Sequence, residues 1–464
     1  MEETRSLNDQ IRYLFYPRSI AVVGASRKPG KIGHIILKNL RDYGFKGKLY
    51  PVNPHATEIL GFKAYPSVTA IPDEVDMAVI VVPAAIVPQI LKDCGKKGVK
   101  VCVVISSGFK EIGRVDLENM IVKIAKENGM RILGPNIFGV YYAPSRMNAT
   151  FGPLEVLPGN IALISQSGAL GIALMGWTVL EEIGLSAIVS VGNKADIDDA
   201  DLLEFFGKDE HTRVILIYME GIKRAREFMK IAKQVSKKKP IIVIKAGRSS
   251  HGMKAVASHT GSLAGSDQIY SAAFRQCGVL RALNIEEAFD WARALSKLNP
   301  PTQKNTVIIT NGGGIGVMAT DAAEENGIPL LEPSEELMKK FRKYMPPFGS
   351  PRNPVDLTGQ ATHKEYYGAI LEALNSPEVG SVIVLYCETA VADPGKVADA
   401  VLDAVNSSKI AKPLVVAMVG GEATEKAIKK LNKSGIPAYP TPERAVSALS
   451  ALFRWTSWRE KTVS

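Results

Sequence analysis

Short apolar runs alternate with amphipathic stretches of helical period along the whole chain. This alternation predicts parallel β-sheets covered by helices on both faces. In the first part of the chain we predict helices at Ile32–Asp42 and 117–127, and strands at Ser19–Val23, Lys48–Val52, 77–82, 101–105 and Arg131–Leu133. Further strands are predicted at 161–165, 187–191, Val214–Met219, 241–244, 307–310, 381–386 and 414–418.

Three segments share the order apolar strand, glycine-containing loop and helix: SIAVVGAS, IALISQSGALG and TVIITNGGGIG. Their glycines Gly24, Gly168 and Gly312 follow one another at intervals of 144 residues. The sequence between them does not repeat, so the pattern indicates three similar supersecondary units, each with a ligand-facing loop after its first strand. Adjacent prolines in LNPPTQKN mark a seam, and GPNIFGVYYAPSRMN (134–148) is interpreted as a crossover. We predict domains at 1–143, 144–298 and 299–464.

The composition of this 464-residue chain, with 46% hydrophobic and 22% charged residues, is that of a globular protein and excludes global disorder. The four cysteines (Cys94, Cys102, Cys277 and Cys387) have no CxxC spacing, which favours reduced thiols over disulfides or a zinc site. The net charge of +10 comes from dispersed Lys and Arg without a nucleic-acid motif. Anionic small ligands therefore explain the charge at least as well as nucleic acid does.

Neither the N-terminus nor the longest uncharged stretch favours a targeting or membrane segment. MEETRSLNDQ lacks the apolar core of a secretory signal. Residues 156–180 carry no charge, but their polar SQSG centre suits strand, loop and helix better than a membrane span. We expect a cytoplasmic protein with no membrane partner.

The first glycine loop, GASRKPGKIG (24–33), nearly matches two nucleotide-binding fingerprints. Five residues separate its first two glycines, whereas a P-loop has four. Ser26 stands where the GxGxxG pattern requires its second glycine. Backbone N–H groups at the helix start, with Arg27 and Lys31, still suit a phosphate-bearing ligand such as coenzyme A. The alternative is a plain strand-to-helix turn.

The second loop, SQSGALG, places Ser165, Ser167 and Gly168 at the start of an apolar helix. Free N–H groups and the helix dipole create an anion site there; the alternative is a serine N-cap on a buried helix. In the third loop, NGGGIG (311–316), the consecutive glycines let the backbone come close to either an anion or another domain.

The segment KAGRSSHGMKAVASHTGSLAGSD (245–267) is predicted to be a long loop leading into a helix, and it carries His251 and His259. An imidazole can accept a phosphoryl group when a carboxylate orients its other nitrogen. Glu220, directly after the strand Val214–Met219, is a candidate for that carboxylate. A solvent-exposed histidine and a solvent-exposed strand-end glutamate are the alternatives.

These residues together carry a family resemblance. SHTGSLAGS around His259, Glu220, ISQSG, GPN (134–136) and VPA (82–84) resemble the α subunits of ADP-forming acetyl-CoA synthetases, in the superfamily of succinyl-CoA synthetase. The resemblance extends over essentially the whole chain. It implies a Rossmann-like CoA-binding domain followed by two flavodoxin-like domains, all doubly wound α/β. It also implies the reaction of acyl-CoA, ADP and phosphate to a carboxylic acid, ATP and CoA, through an acyl phosphate.

The resemblance also implies roles for individual residues. His259 would carry the phosphoryl group, with Glu220 orienting it, and Ser165, Ser167 and Gly168 would form the phosphate cradle. CoA or acetyl-CoA would contact Gly24, Ser26, Lys31, Asn53 and Pro83. The loop GNKADID (192–198) resembles one near the phosphate.

Differences from the superfamily pattern narrow the expected acid substrate and the expected subunit composition. Ser258 and Thr260 stand where the succinyl-CoA enzyme has Gly and Ala, which disfavours succinate. No ATP-grasp module is found, so ADP or ATP with Mg²⁺ would bind a separate β subunit. The expected complex is α2β2. In it the loop bearing His259 would move between the CoA site and the nucleotide site. A non-catalytic CoA-binding regulatory or scaffold chain and a succinyl-CoA synthetase α subunit are the alternatives. The failed GxGxxG disfavours a nicotinamide oxidoreductase.

Overall fold

The computed structural model describes residues 10–260 and 267–463, with backbone alone for 257–260 and 463. The chain forms two compact units, Met1–Arg281 and Ala282–Ser464. In the described part, no helix combines the length and the apolar character needed to cross a membrane.

The first sheet of unit Met1–Arg281 is parallel, and long connections, most of which contain an α-helix, join its consecutive strands. Its first strand, SIAVV, is buried at every position, as expected for a strand covered on both faces. The strands in this part of the chain are β1 (Ser19–Val23), β2 (Lys48–Val52), β3 (Glu58–Ile59), β4 (Phe62–Lys63), β5 (Met77–Ile80), β6 (Val101–Val104) and β7 (Arg131–Leu133). The sheet has the order β2-β1-β5-β6-β7, and β3 and β4 form a separate hairpin. The helices are Arg12–Phe15, Ile32–Asp42, Val87–Lys97 and Val115–Glu127, with 3-10 turns at Val68–Ala70, Ala84–Ile86 and Lys110–Ile112.

The second sheet of this unit is mixed. Its strands are β8 (Gly139–Tyr142), β9 (Met147–Thr150), β10 (Pro158–Ser165), β11 (Leu185–Ser190), β12 (Val214–Met219), β13 (Ile241–Lys245) and β14 (Leu280–Ala282), in the order β14-β13-β12-β10-β11-β8-β9. The helices are Gly168–Leu180, Asp199–Lys208, Ala225–Ser236, Ser250–Thr260 and Asp267–Cys277. One hydrophobic core contains residues of both sheets, such as Val22 and Val103 of the first and Ile164 and Ile217 of the second.

Unit Ala282–Ser464 contains a third sheet, again parallel. Its strands are β15 (Thr306–Thr310), β16 (Val355–Asp356), β17 (Ser381–Cys387), β18 (Leu414–Val419) and β19 (Ala438–Tyr439), in the order β16-β15-β17-β18-β19. The helices are Ile285–Lys297, Gly313–Glu325, Glu335–Phe341, His363–Asn375, Pro394–Ser407, Glu422–Lys433 and Pro442–Val463, with a 3-10 turn at Arg342–Tyr344.

The segment 134–148, interpreted above as a crossover, contains most of an antiparallel hairpin. Strand β8 pairs with β9 on one side and with β11 on the other. Gly139 is required there, since its φ is +121° and a Cβ would lie 2.1 Å from the carbonyl oxygen of Ala149. Strand β8 therefore belongs to the second sheet, whereas the predicted boundary assigns it to domain 1–143.

The prediction of a long loop over 245–267 is wrong for much of that segment. Residues Ser250–Thr260 are helical. Gly247, with φ +74°, turns the chain so that a Cβ on it would lie 2.9 Å from the buried side chain of Val256. Tertiary packing thus supports a helix that the Gly- and Ser-rich sequence does not favour. Residues 261–266 lie outside the described part of the chain.

The edge of the first sheet is joined to the segment that follows β11. Backbone N–H groups of Asn193, Ala195 and Ile197 donate to the carbonyl oxygens of Pro135, Gly134 and Ile132, at 3.1, 3.0 and 3.0 Å. In the same place Asp196 accepts from Arg131 Nε at 2.9 Å and from the backbone N–H of Ile132 at 2.8 Å. Arg131 is 7% exposed and the side chain of Asp196 is 14% exposed, so this ion pair is largely shielded from water.

We predict that Asp196→Ala lowers the free energy of unfolding by about 3 kcal/mol, because a buried guanidinium loses its shorter ion pair and keeps the longer one to Asp201, at 3.3 Å. Urea unfolding measures the loss. The exposed pair Lys426–Glu422 provides the control, since Lys426→Ala should change stability by less than about 0.5 kcal/mol. Equal effects of the two substitutions would contradict a structural role for the buried pair.

Candidate functional site

A cavity of about 600 Å³ lies in unit Met1–Arg281, between loops from both of its sheets. The loops follow the carboxyl ends of β5, β6, β7, β10 and β11, the edge at which α/β proteins bind ligands. They contribute Pro83, Ser106, Ile137, Ser167 and Asn193, among others. The cavity therefore brings together two loops that the sequence assigned to different ligands.

The first glycine loop forms a tight turn between a strand and a helix, although it matches neither nucleotide-binding fingerprint. Gly24 has φ +93°, and a Cβ there would lie 2.5 Å from the carbonyl oxygen of Val81. A Cβ on Gly33 would lie 2.1 Å from the carbonyl oxygen of Gly24. Glycine at position 24 thus lets the loop pass close to the chain after β5, and glycine at position 33 lets the start of helix Ile32–Asp42 approach the end of β1. His34, which sequence reasoning missed, is buried and holds the carbonyl of Ser26 through Nδ1 at 2.9 Å.

Four of the five residues predicted to bind CoA lie on or beside this loop. Asn53 Nδ2 donates to the carbonyl oxygen of Ala25 at 2.8 Å, and Ser26 Oγ accepts from the N–H of Lys28 at 3.1 Å. Lys31 occupies the N-cap position of the following helix and is exposed. The fifth, Pro83, lines the cavity.

The second glycine loop presents the N-terminus of helix Gly168–Leu180 to the cavity. Ser167 is its N-cap and accepts from the N–H of Leu170 at 3.4 Å. A Cβ on Gly168 would meet nothing within 4 Å, so the space beside the first residue of the helix is open. Ser165 is buried, and its hydroxyl donates to the carbonyl oxygen of Ser167 at 2.8 Å. Ser167 and Gly168 thus face the cavity, while Ser165 shapes the loop.

Gln166, which sequence reasoning missed, joins the second glycine loop (165–171, from here on the phosphate-type loop) to Glu220. Its Oε1 accepts from the backbone N–H groups of Glu220 and Gly221, at 2.8 and 3.2 Å. Its position between two serines at a strand end was the available signal. Glu220 follows β12, next to β10, and is 5% exposed.

His259 falls on helix Ser250–Thr260, but its side chain lies outside the described residues. The pairing of His259 with Glu220 therefore stays a prediction. The helix itself contacts the 3-10 turn Lys110–Ile112, which contributes Glu111 to the cavity.

A buried charge pair supports the segment between Glu220 and the loop 192–198. Lys194, with φ +53°, donates from Nζ to Asp199 Oδ2 at 2.5 Å and to the carbonyl oxygen of Gly221 at 3.0 Å. Burial raises the pKa of Asp199. Lys223 Nζ donates to the carbonyl oxygens of Lys194 and Ala195, at 3.0 and 2.9 Å. These contacts hold the strand end that carries Glu220.

The third glycine loop, in the other unit, is built like the second. Thr310 Oγ1 donates to the carbonyl oxygen of Gly312 at 2.9 Å, as Ser165 does to Ser167. Gly312 is the N-cap of helix Gly313–Glu325. Asn311 exchanges two hydrogen bonds with the backbone of Cys387, at 2.9 and 2.8 Å, and so joins β15 to β17. Two of the three repeated loops thus share one construction.

Three protein-family models match the chain. They are a CoA binding domain at residues 18–143, a succinyl-CoA ligase like flavodoxin domain at 158–295 and a ligase-CoA domain at 306–462. The matches confirm the predicted fold class; the predicted domain boundaries stay a prediction.

Curated relatives and a solved structure agree with these matches. The chain is 66% identical to acetate–CoA ligase (ADP-forming) I subunit alpha of Pyrococcus furiosus, over 97% of this chain and 98% of that one. It is 43% identical to acetate–CoA ligase (ADP-forming) of Methanocaldococcus jannaschii, over 97% of this chain, but spans 64% of that protein's length. A solved structure of dinucleotide forming acetyl-coenzyme A synthetase 1 from Ca. Korarchaeum cryptofilum, in complex with phosphate and ADP, has a TM-score of 0.97 and 55% identity, over 98% of this chain and 99% of that chain. The chain belongs to the family of ADP-forming acetate–CoA ligase α subunits.

Proposed function

We propose that this chain is the α subunit of an ADP-forming acyl-CoA synthetase, which converts acyl-CoA, ADP and phosphate to a carboxylic acid, ATP and CoA. The observation that carries the proposal is the cavity that joins the loop of Pro83 to the helix start at Ser167 and Gly168. It occurs in a chain 66% identical to a named α subunit over nearly its full length.

CoA binding is proposed at the first glycine loop. The phosphates of CoA fit the backbone N–H groups at the start of helix Ile32–Asp42, where Arg27 and Lys31 are exposed and add positive charge. Gly24, Ser26 and Asn53 keep the loop in shape through the contacts described above. From there the thiol arm reaches the cavity past Pro83.

The chemistry is proposed at the second glycine loop. An oxygen of phosphate, held at the N-terminus of helix Gly168–Leu180, attacks the thioester carbon; the C–S bond breaks, and CoA leaves as a thiolate that takes up a proton. A nitrogen of His259 then attacks phosphorus, and the bond to the acyl oxygen breaks with release of the carboxylate. Glu220 accepts a hydrogen bond from the other ring nitrogen and stabilises the charged ring. The phosphoryl group finally passes to ADP.

A partner subunit is proposed to bind ADP and Mg²⁺. The chain matches almost the entire length of a relative named subunit alpha, but 64% of a relative without a subunit name. The remaining third of that longer protein is the natural place for a nucleotide-binding module. We propose a cytoplasmic α2β2 complex in which an ATP-grasp β subunit supplies it.

We predict that incubation with acetyl-CoA and labelled phosphate produces an acid-labile, base-stable phosphoprotein. His259→Ala should abolish the label, and Glu220→Gln should slow labelling about 100-fold, because the ring loses its orienting carboxylate. His251→Ala is the matched control on the same helix and should label normally. Label that survives His259→Ala would show that another residue is the acceptor.

A second prediction concerns the division of labour between subunits. The isolated chain should bind CoA but neither bind ADP nor make ATP, and addition of the β subunit should restore ATP synthesis. Calorimetric titration with CoA and ADP, with a coupled ATP assay, provides the measurement. Full ATP synthesis by the isolated chain would disprove the split between two subunits.

A further inference from the structure

Apolar side chains form much of the cavity wall beyond the phosphate-type loop, alongside the polar side chains of Ser106, Ser107, Asn136 and Asn193. The apolar ones are Ile105, Ile137, Phe138 and Phe151, from loops that follow strands of both sheets, and Ile172, from helix Gly168–Leu180. The ring of Phe138 packs directly on the helix that starts at Gly168, because a Cβ on Gly171 would lie 2.3 Å from the ring. An aromatic surface thus lies beside the helix N-terminus where the reacting carboxyl group is proposed to bind.

One acidic side chain faces this apolar space. Among the described residues that line the cavity, Glu111 alone carries a charge. The described lining of the cavity therefore includes one negative charge and neither lysine nor arginine.

Hydrogen bonds hold Glu111 in place and ionised. Its Oε1 accepts from the backbone N–H groups of Gly108 and Phe109, at 2.5 and 3.2 Å, and its Oε2 accepts from Asn193 Nδ2 at 2.6 Å. Burial raises the pKa of this carboxyl group, but these hydrogen bonds outweigh burial and keep the pKa below its usual value. Asn193 is in turn fixed by Asn136, which donates to its Oδ1 at 3.3 Å.

We propose that Glu111 is a specificity residue that restricts the acyl substrate to monocarboxylic acids with an uncharged tail. The proposal rests on the function proposed above and names its substrate class. The carboxyl carbon of the substrate lies at Ser167 and Gly168, so the tail faces the apolar walls. A second carboxylate on the tail would lose its water without gaining a cation and would be repelled by Glu111.

The test uses the complete α–β complex and measures kcat/KM for acetate, isobutyrate, phenylacetate and succinate. The wild-type complex should favour the monocarboxylates over succinate by about 100-fold or more. Glu111→Gln keeps the size of the side chain and removes its charge. It should raise kcat/KM for succinate and reduce the preference for acetate over succinate about tenfold.

A gain of succinate activity cannot result from a damaged fold, which would lower turnover of every acid. Glu118→Gln is the matched control, because Glu118 Oε2 accepts from the same Asn193 amide at 2.8 Å but does not line the cavity. It should leave the preference unchanged. An unchanged preference in Glu111→Gln, or equal use of succinate by the wild-type complex, would overturn the specificity role alone. Absence of turnover with every acid would instead refute the proposed function.

Discussion

The buried contact between Arg131 and Asp196 is the constraint on which the candidate site depends. The first glycine loop (24–33), where CoA is proposed to bind, follows a strand of the first sheet. The phosphate-type loop follows a strand of the second sheet. A reaction between their ligands therefore requires the two sheets to keep a fixed relative position. The ion pair and the adjoining backbone hydrogen bonds attach the segment 193–197 to the edge of the first sheet. That segment begins with Asn193, whose Nδ2 donates to Glu111 Oε2. The position of the segment therefore also fixes the carboxylate of Glu111 in the cavity.

The site itself is built more from backbone than from charged side chains. Close approach at Gly24 and Gly33 aims one helix N-terminus, and the open space at Gly168 leaves a second one accessible. Preorganised N–H groups stabilise a phosphate without any rearrangement when it arrives. Gln166 then couples this loop to Glu220 through two backbone N–H groups, so the carboxylate that is proposed to orient His259 and the phosphate cradle share one support.

The sequence predicted the longer parallel strands to within a few residues, because buried strands with helices on both faces are continuous apolar runs. It missed the two-residue parallel strands β16 and β19. It also missed β8 and β9, which pair with each other, and β8 pairs in addition with β11, more than forty residues away. It also missed Glu111 and Asn193, which meet across 82 residues through a contact that has no local pattern. The glycine loops were found because their spacing and flanking strands are local features. The helix Ser250–Thr260 was missed because its Gly- and Ser-rich composition has a weak helical preference that packing of Val256 overrides.

The central claim is that a single cavity in this chain receives both the thiol end of CoA and the phosphoryl group. A crystal structure of the α–β complex with acetyl-CoA bound tests it most directly. The account predicts that the thioester carbon lies between Pro83 and Ser167, with room for a phosphate oxygen about 3.5 Å away at the N–H groups of Gly168 and Ala169. Acetyl-CoA bound with its thioester outside this cavity would contradict the account.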